Sequence, residues 1–193
     1  MTLPIWADMG KLTFILGGAR SGKSTYAQRL AERSGKSVVY IATAHAGDDE
    51  MSARITKHRA DRPAEWTTLE IQQDIAAYLK RHPVQAELYL LDCVTLLATN
   101  ILFQHTEGEV TDEQKAADGI KAEVEELLAY IRAHKADWII VSNEVGLGLV
   151  PPYPLGRIYR DLLGMANQRL AAAADEVYML VAGIPVPIHE FRG

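Results

Sequence analysis

Short apolar runs alternate with helical stretches along this chain. Residues 11–16 (KLTFIL), 37–44 (SVVYIATA), 87–95 (ELYLLDCVT) and 137–145 (DWIIVSNEV) are mostly apolar, which is typical of strands buried on both faces. A further run at 176–188 predicts a last strand or a hairpin. The alternation predicts an α/β protein with a parallel sheet and helices on both faces. In such sheets, ligands bind at the carboxyl ends of the strands.

Stretches with helical periodicity separate these apolar runs. The predicted helices cover residues 23–34, 48–62, 72–82, 96–104, a long amphipathic segment ending near 134, and 157–174. Of the remaining segments, 65–70 is predicted to be extended, 105–113 a polar loop and the Gly- and Pro-rich 146–156 irregular. The sequence has no repeat or linker. Residues 11–193 are therefore expected to form one catalytic domain after an N-terminal arm, residues 1–10.

Composition narrows the class of protein. The chain has 193 residues, of which 48% are hydrophobic, an ordinary content for a globular domain long enough to bury its own core. A formal net charge of −5 argues against a nucleic-acid binder that relies on a basic surface. No apolar run is long enough to cross a membrane. The single cysteine, Cys93, permits no internal disulfide, and with no signal-peptide pattern at the start it predicts a cytoplasmic protein.

The segment GGARSGKST, residues 17–25, follows the first apolar run and opens the first predicted helix. Gly17, Gly22, Lys23 and Ser24 satisfy the phosphate-loop pattern G-x-x-x-x-G-K-S, in which backbone N–H groups surround phosphate oxygens. Lys23 would neutralise the β- and γ-phosphates, and the Ser24 hydroxyl would coordinate Mg²⁺. The positive end of the helix points at the same place. This motif in its strand–loop–helix context predicts a nucleotide site.

Polar residues follow two of the other predicted strands. Asp92 ends the run LYLLD, and a carboxylate at a strand end beside a phosphate loop is the usual second anchor for Mg²⁺. The alternative is an aspartate that caps the next helix. Cys93 fits a small buried hydrophobic residue better than a nucleophile. Asn143 and Glu144 are expected at the same rim, where they could orient Mg²⁺ or a substrate hydroxyl, or form a strand-end hydrogen-bonded pair.

His58 lies in RITKHRADRP, residues 54–63, where Arg54, His58 and Arg62 share one face of the predicted helix at i, i+4 and i+8. Two flanking guanidinium groups would lower the pKa of the imidazole and keep it neutral and nucleophilic near pH 7. They would also grip a phosphate, as attack on a nucleotide α-phosphate requires. The alternative is that His58 packs along the helix edge, which spacing alone does not exclude. His45 is a weaker candidate.

The order of several motifs gives the chain a resemblance to a known family. GGARSGKST, YIATA, RITKHRADRP, LLDCVTLLATN, SNEVGLGLVP and RDLLGMANQRLAAAADEVYMLVAGIP follow the order found in the bifunctional adenosylcobinamide kinase / adenosylcobinamide-phosphate guanylyltransferases of cobalamin synthesis. The resemblance runs from Leu12 to Ile188. Many NTPases share the phosphate loop, whereas the combination of R-I-x-x-H-x-x-x-R-P with N-E-V-G-x-G is far more specific.

The resemblance implies two reactions on a P-loop NTPase fold with a RecA-like, mostly parallel sheet. A nucleoside triphosphate, ATP or GTP, phosphorylates the aminopropanol hydroxyl of adenosylcobinamide. GTP then transfers GMP to that phosphate through a guanylyl-histidine, which matches His58, and pyrophosphate leaves. Segment 146–154 suits a loop over the corrinoid. Family members are typically homotrimers, so the implied partners are a corrinoid and further copies of the chain, without nucleic acid.

The residues expected at the site combine these motifs with the family's nucleotide contacts. Catalysis is assigned to His58, Lys23, Arg54 and Arg62, and Mg²⁺ binding to Ser24 and Asp92. The expected nucleotide contacts are Gly17, Gly18, Ala19, Arg20, Ser21, Gly22, Lys23, Ser24, Thr43, Ala44, His45, Ala60, Asp61, Arg62, Pro63, Glu70 and Asp92. Glu70 or Asp92 could also recognise guanine by accepting hydrogen bonds from N1–H and the amino group, which leaves Asp92 with two alternative roles.

Two other functions stay open on the sequence. One is a small-molecule kinase with a phosphate loop and no histidine chemistry. Labelling of the protein by α-labelled GTP separates a guanylyltransferase from that kinase. The other is a RecA-like assembly protein that uses NTP as a conformational switch on nucleic acid. The acidic net charge disfavours it, and DNA-stimulated hydrolysis would revive it.

Overall fold

The computed structural model describes residues 10–44, 56, 59–60 and 62–191. Within them the strands are β1 (Leu12–Gly17), β2 (Val38–Ala42), β3 (Thr67–Glu70), β4 (Leu88–Asp92), β5 (Thr106–Glu107), β6 (Val110–Thr111), β7 (Asp137–Val141), β8 (Glu176–Val181) and β9 (Ile184–Pro187). The α-helices described from end to end are α1 (Lys23–Arg33), α2 (Ile75–Arg81), α3 (Val94–Gln104), α4 (Glu113–Ala133) and α5 (Pro154–Ala173). A short 3₁₀ helix, Ile188–Phe191, follows β9.

Seven of the described strands form one sheet in the order β3-β2-β4-β7-β1-β8-β9. All neighbours are parallel except β8 and β9, which form an antiparallel hairpin. β5 and β6 pair separately. Because parallel strands share one direction, the carboxyl ends of β1, β2, β3, β4 and β7 lie along one edge of the sheet. The predicted mostly parallel α/β sheet is confirmed.

Successive side chains of the central strands enter two different cores. Phe14 and Leu16 of β1 pack in the core that also contains side chains of α2 to α5. Ile15, between them, packs in the second core with Ala27 and Ala31 of α1. This alternation follows from the pleat of a strand, and it explains why the sequence pattern is almost continuously apolar. Among the described helices, four therefore cover one face and α1 covers the other.

Several element boundaries differ from those predicted. The strands predicted at 87–95 and 137–145 end earlier, at Asp92 and Val141, and α3 already begins at Val94. The segment predicted as a polar loop contains the β5–β6 ribbon. α5 begins at Pro154, earlier than predicted, because a proline is compatible with the first turn of a helix.

Glu123 on α4 is a buried carboxylate that closes the amino end of α2. It accepts hydrogen bonds from the backbone N–H of Asp74 (2.7 Å) and of Ile75 (3.0 Å). Asp74 occupies the N-cap position of α2 without a side-chain cap bond, so a different helix supplies the cap. Burial raises the pKa of Glu123, and the two backbone N–H groups oppose that shift.

Replacing Glu123 with glutamine is expected to remove a pH-dependent part of the stability. Because its pKa is raised in the folded state, the folded protein holds this proton to higher pH than the unfolded chain does. The contribution of Glu123 to the free energy of unfolding therefore falls as pH rises above its ordinary value of 4.5. The loss amounts to about 1.4 kcal/mol for each unit by which the folded pKa is raised.

Urea denaturation between about pH 4 and pH 7 measures this trend. The quantity compared is the free energy of unfolding of the unaltered protein minus that of Glu123→Gln. Glu32→Gln is the matched control, because Glu32 is exposed on α1. We expect the difference to decrease with pH for Glu123→Gln and to stay constant for Glu32→Gln. A constant difference for both variants would show that Glu123 has an ordinary pKa.

Candidate nucleotide-binding site

The loop between β1 and α1 is shaped by glycines that a side chain could not replace. Gly17 (φ 155°) and Gly22 (φ 93°) adopt backbone conformations that are rare for other residues. A Cβ at Gly17 would lie 2.6 Å from the carbonyl oxygen of Leu180 on β8. The turn of the β8–β9 hairpin supports the loop, since the N–H of Gly183 donates to the carbonyl of Ser21 at 2.9 Å.

Lys23 is the first residue of α1, and its ammonium group is enclosed by the loop. The residue is 8% exposed, and its Nζ donates to the carbonyl of Gly18 at 2.6 Å. Burial lowers the pKa of Lys23, whereas the nearby Cys93 and Asp92 raise it. A desolvated ammonium at the positive end of a helix makes a strong site for an anion.

A cleft of about 620 Å³ opens beside this loop at the carboxyl edge of the sheet. The predicted site residues that line it are 19–24, Ala44, Arg62, Glu70 and Asp92. They come from the loop after β1 and the start of α1, from the ends of β2, β3 and β4, and, for Arg62, from the segment before β3. The fold therefore brings together residues that are distant in sequence, as expected for the carboxyl edge of a parallel sheet.

Other predicted nucleotide contacts have different surroundings. The Thr43 side chain is fully buried, and its hydroxyl donates to the carbonyl of Cys93 (2.7 Å) and accepts from its N–H (2.9 Å). Thr43 thus joins the ends of β2 and β4 instead of facing the cleft. Ala60 is exposed and Pro63 half-buried, and neither is among the described residues that line the cleft.

Four predicted site residues, Arg54, His58, His45 and Asp61, lie outside the described residues. The shared helical face of Arg54, His58 and Arg62 therefore stays a prediction. Thr56, Arg59 and Ala60 are helical, in agreement with the predicted helix 48–62. Arg59 forms an exposed ion pair with Glu70 at the end of β3, a type of contact that contributes little to stability.

Asp92 ends β4 within the cleft. β7 lies between β4 and β1, so Asp92 faces the phosphate loop across one strand rather than from the adjacent strand. Its Oδ2 accepts a hydrogen bond from the Tyr40 hydroxyl at 2.9 Å. The N-cap position of α3 belongs to Cys93, without a side-chain cap bond, so the structure does not support the alternative of Asp92 as a helix cap.

Tyr40 is a site residue that sequence reasoning missed. It is 2% exposed on β2, and the guanidinium carbon of Arg62 lies 3.6 Å from the centroid of its ring. Burial raises the pKa of the Tyr40 hydroxyl, and the Asp92 carboxylate raises it further. The Arg62 Nε is buried without a hydrogen-bond partner in the described part of the chain. Nothing in the apolar run SVVYIATA distinguishes this tyrosine from its neighbours.

Asn143 and Glu144 follow β7 and point to different places. Asn143 lines the cleft, and two buried side chains hold its backbone. The N–H of Asn143 donates to the hydroxyl of Thr95 at 2.9 Å, and its carbonyl accepts from the side-chain amide of Asn167 at 2.9 Å. Glu144 lines a neighbouring groove, where its carboxylate accepts from the N–H of Gly146 at 2.6 Å. The roles of Thr95 and Asn167 depend on tertiary contacts that the sequence pattern did not reveal.

Cys93 lines the cleft without being a good nucleophile. Burial raises the pKa of its thiol to about 11, with a further contribution from Asp92. Since the thiolate is the reactive form, a thiol with so high a pKa is unreactive near neutral pH. This agrees with the interpretation of Cys93 as a small buried residue.

Ser24 and Asp92 line the same cleft and offer hydroxyl and carboxylate oxygens, the ligands that Mg²⁺ prefers. Among the residues that the structure describes, no three His, Cys, Asp or Glu side chains cluster to hold a metal by themselves. No helix in the described ranges is long and apolar enough to span a bilayer.

Comparisons with known proteins agree with one another. Residues 13–188 match the family model described as "Cobinamide kinase / cobinamide phosphate guanyltransferase". The bifunctional adenosylcobalamin biosynthesis protein CobU of Escherichia coli is 43% identical over 180 residues, 92% of this chain and 99% of that protein. CobP of Pseudomonas aeruginosa is 46% identical over 174 residues, 90% of this chain and 95% of that protein.

CobU of Salmonella typhimurium, carrying the same description, is 41% identical over 180 residues, 92% of this chain and 99% of that protein. Among solved structures, the crystal structure of the RadB recombinase is similar to this chain with a TM-score of 0.48 and 18% identity. The match covers 89% of this chain and 74% of that one.

Proposed function

This chain belongs to the cobinamide kinase / cobinamide phosphate guanyltransferase family, and we propose that it carries out both reactions in cobalamin biosynthesis. It phosphorylates the aminopropanol hydroxyl of adenosylcobinamide and then transfers GMP from GTP to the new phosphate. The family match across residues 13–188 carries this proposal. The family and the α/β fold, with its phosphate loop and mostly parallel sheet, are as predicted from the sequence.

The phosphate loop and Lys23 support the kinase step. Backbone N–H groups of the loop and the enclosed ammonium of Lys23 bind the phosphates of ATP or GTP and stabilise charge on the γ-phosphoryl oxygens. The substrate hydroxyl oxygen forms a bond to the γ-phosphorus, and the bond from that phosphorus to the bridging oxygen breaks. The nucleoside diphosphate leaves with the electron pair, and the hydroxyl proton is released to water. Mg²⁺, when bound by Ser24 and Asp92, supplies positive charge to the phosphate oxygens.

The guanylyltransferase step is assigned to His58. A neutral imidazole nitrogen attacks the α-phosphorus of GTP, a P–N bond forms, and the bond to pyrophosphate breaks. An oxygen of the corrinoid phosphate then attacks the same phosphorus, and the P–N bond breaks to restore the imidazole. Arg54 and Arg62 stabilise the charge on the phosphorus oxygens, and Arg62 lines the cleft next to the phosphate loop.

Mass spectrometry of the protein after incubation with GTP tests this assignment. We expect a GMP adduct on His58 that is labile to acid and resistant to hydroxylamine, as a phosphoramidate should be. Phosphorylation of adenosylcobinamide without any adduct would identify the alternative function, a small-molecule kinase.

We further propose a homotrimer in a reducing cytoplasm; the family resemblance supports the trimer, and the single cysteine supports the location. Light scattering measures the oligomeric state.

Replacing Asp92 with asparagine tests its two alternative roles. We expect the affinities for GTP, ITP and ATP to fall together, by about tenfold or more in the presence of Mg²⁺, because Asp92 lines the same cleft as Lys23 and Ser24 of the phosphate loop. In EDTA the loss should be small. A loss that is largest for GTP, smaller for ITP, which keeps N1–H but lacks the amino group, and absent for ATP would assign Asp92 to guanine recognition. Isothermal titration measures all three affinities.

A further inference from the structure

We propose that Tyr40 is a positioning residue that holds Asp92 and Arg62 as one unit at the wall of the nucleotide cleft. All three residues line that cleft, and Tyr40, at 2% exposure, lies at its buried wall in contact with the other two. The inference rests on the proposed function only for the identity of the ligand, a nucleoside triphosphate.

The hydroxyl of Tyr40 fixes the carboxylate. Tyr40 pairs in register with Leu90 on β4, and Asp92 lies two residues further along that strand, on the same face. The phenol therefore spans the sheet surface and donates to Oδ2 of Asp92 at 2.9 Å. A hydrogen bond from a buried hydroxyl to a carboxylate is charge-assisted and directional, so it limits the rotation of the side chain.

The ring of Tyr40 fixes the guanidinium. Arg62 Cζ lies 3.6 Å from the ring centroid, within the distance of a cation–π contact. A guanidinium held flat on a ring keeps its N–H groups at the edge, where they can donate to phosphate oxygens. Arg62 is the last residue of the helix predicted at 48–62, which carries His58, so this contact fixes the position of Arg62 beside the cleft.

Packing alone does not require a tyrosine at this position. Tyr40 belongs to the core that contains Leu90, Ile139 and Ala27. Phenylalanine would fill nearly the same volume there, and a buried hydroxyl is unfavourable unless it is hydrogen-bonded. The hydroxyl is paired with a residue of the cleft, which points to a role in setting the geometry of the site.

Tyr40→Phe removes the hydroxyl and keeps the ring under Arg62. We expect its affinity for a fluorescent N-methylanthraniloyl derivative of GTP to fall about tenfold, as for the loss of one hydrogen bond to a charged group. Tyr178→Phe is the matched control, since its hydroxyl also donates to a carboxylate, that of Glu176 at 3.3 Å, away from the cleft. It should bind the probe as the unaltered protein does.

A double-mutant cycle with Asp92→Ala separates positioning from general destabilisation. If Tyr40 acts through Asp92, Tyr40→Phe should change the affinity by less than about twofold in the Asp92→Ala background. Additive losses would overturn the positioning role, and so would full affinity in Tyr40→Phe. Failure of the unaltered protein to bind the probe would instead contradict the proposed function.

Tyr40→Leu tests the contact with Arg62. It removes the ring as well as the hydroxyl, so we expect weaker binding than in Tyr40→Phe. In an Arg62→Gln background, the two Tyr40 variants should bind equally. A difference that persists there would show that the ring does not act through Arg62. Circular dichroism checks the fold of each variant, and the Asp92 cycle decides the proposal where Tyr40→Leu is unfolded.

Discussion

Lys23→Ala will abolish both activities, with kcat/KM falling about 10³-fold or more for each nucleotide. The ammonium is enclosed by the loop at the amino end of α1, where its charge acts on phosphate oxygens with little screening by water. Removing a preorganised charge of this kind has effects of that size on phosphoryl transfer. Steady-state kinetics with adenosylcobinamide and its phosphate measure both reactions.

The same variant should leave the nucleotide-free protein as stable as before, or more stable. Because burial lowers the pKa of Lys23, the folded state disfavours its charged form, and alanine removes this unfavourable term. Lys121→Ala is the control, since Lys121 is exposed on α4. A melting temperature well below that of Lys121→Ala, measured without nucleotide, would attribute the lost activity to unfolding.

The sequence predicts those parts of the site that depend on local pattern. Apolar runs locate the strands, and the strand ends locate Asp92 and Asn143, because parallel strands finish at one edge of the sheet. The phosphate loop is predictable residue by residue, since its glycines and Lys23 serve backbone geometry and charge within one short segment.

Local sequence patterns do not predict which strands contact one another or in which register. The position of β7 between β1 and β4 is a property of the sheet order, which residues close in sequence do not encode. The pairing of Tyr40 with Asp92 depends on the register of β2 against β4. Thr43 is a further example: its place after β2 does not reveal that its hydroxyl bonds to the backbone of Cys93.

His58→Ala is expected to lose the GMP adduct and, with it, the guanylyltransferase activity, by about 10⁴-fold or more. Removing a nucleophile that forms a covalent intermediate leaves no second route of comparable rate. The kinase reaction does not use this imidazole, so phosphorylated adenosylcobinamide should accumulate in the presence of ATP or GTP. Mass spectrometry detects the adduct, and chromatography separates the corrinoid products.

His82→Ala is the matched control, because His82 is an exposed histidine that follows α2 and does not line the cleft. It should form the adduct as the unaltered protein does. An adduct that persists in His58→Ala would assign the nucleophile to another residue, with His45 the next candidate. Equal loss of kinase and guanylyltransferase activities in His58→Ala would contradict the separation of the two steps, because a residue needed only for the covalent intermediate cannot affect direct transfer to a hydroxyl.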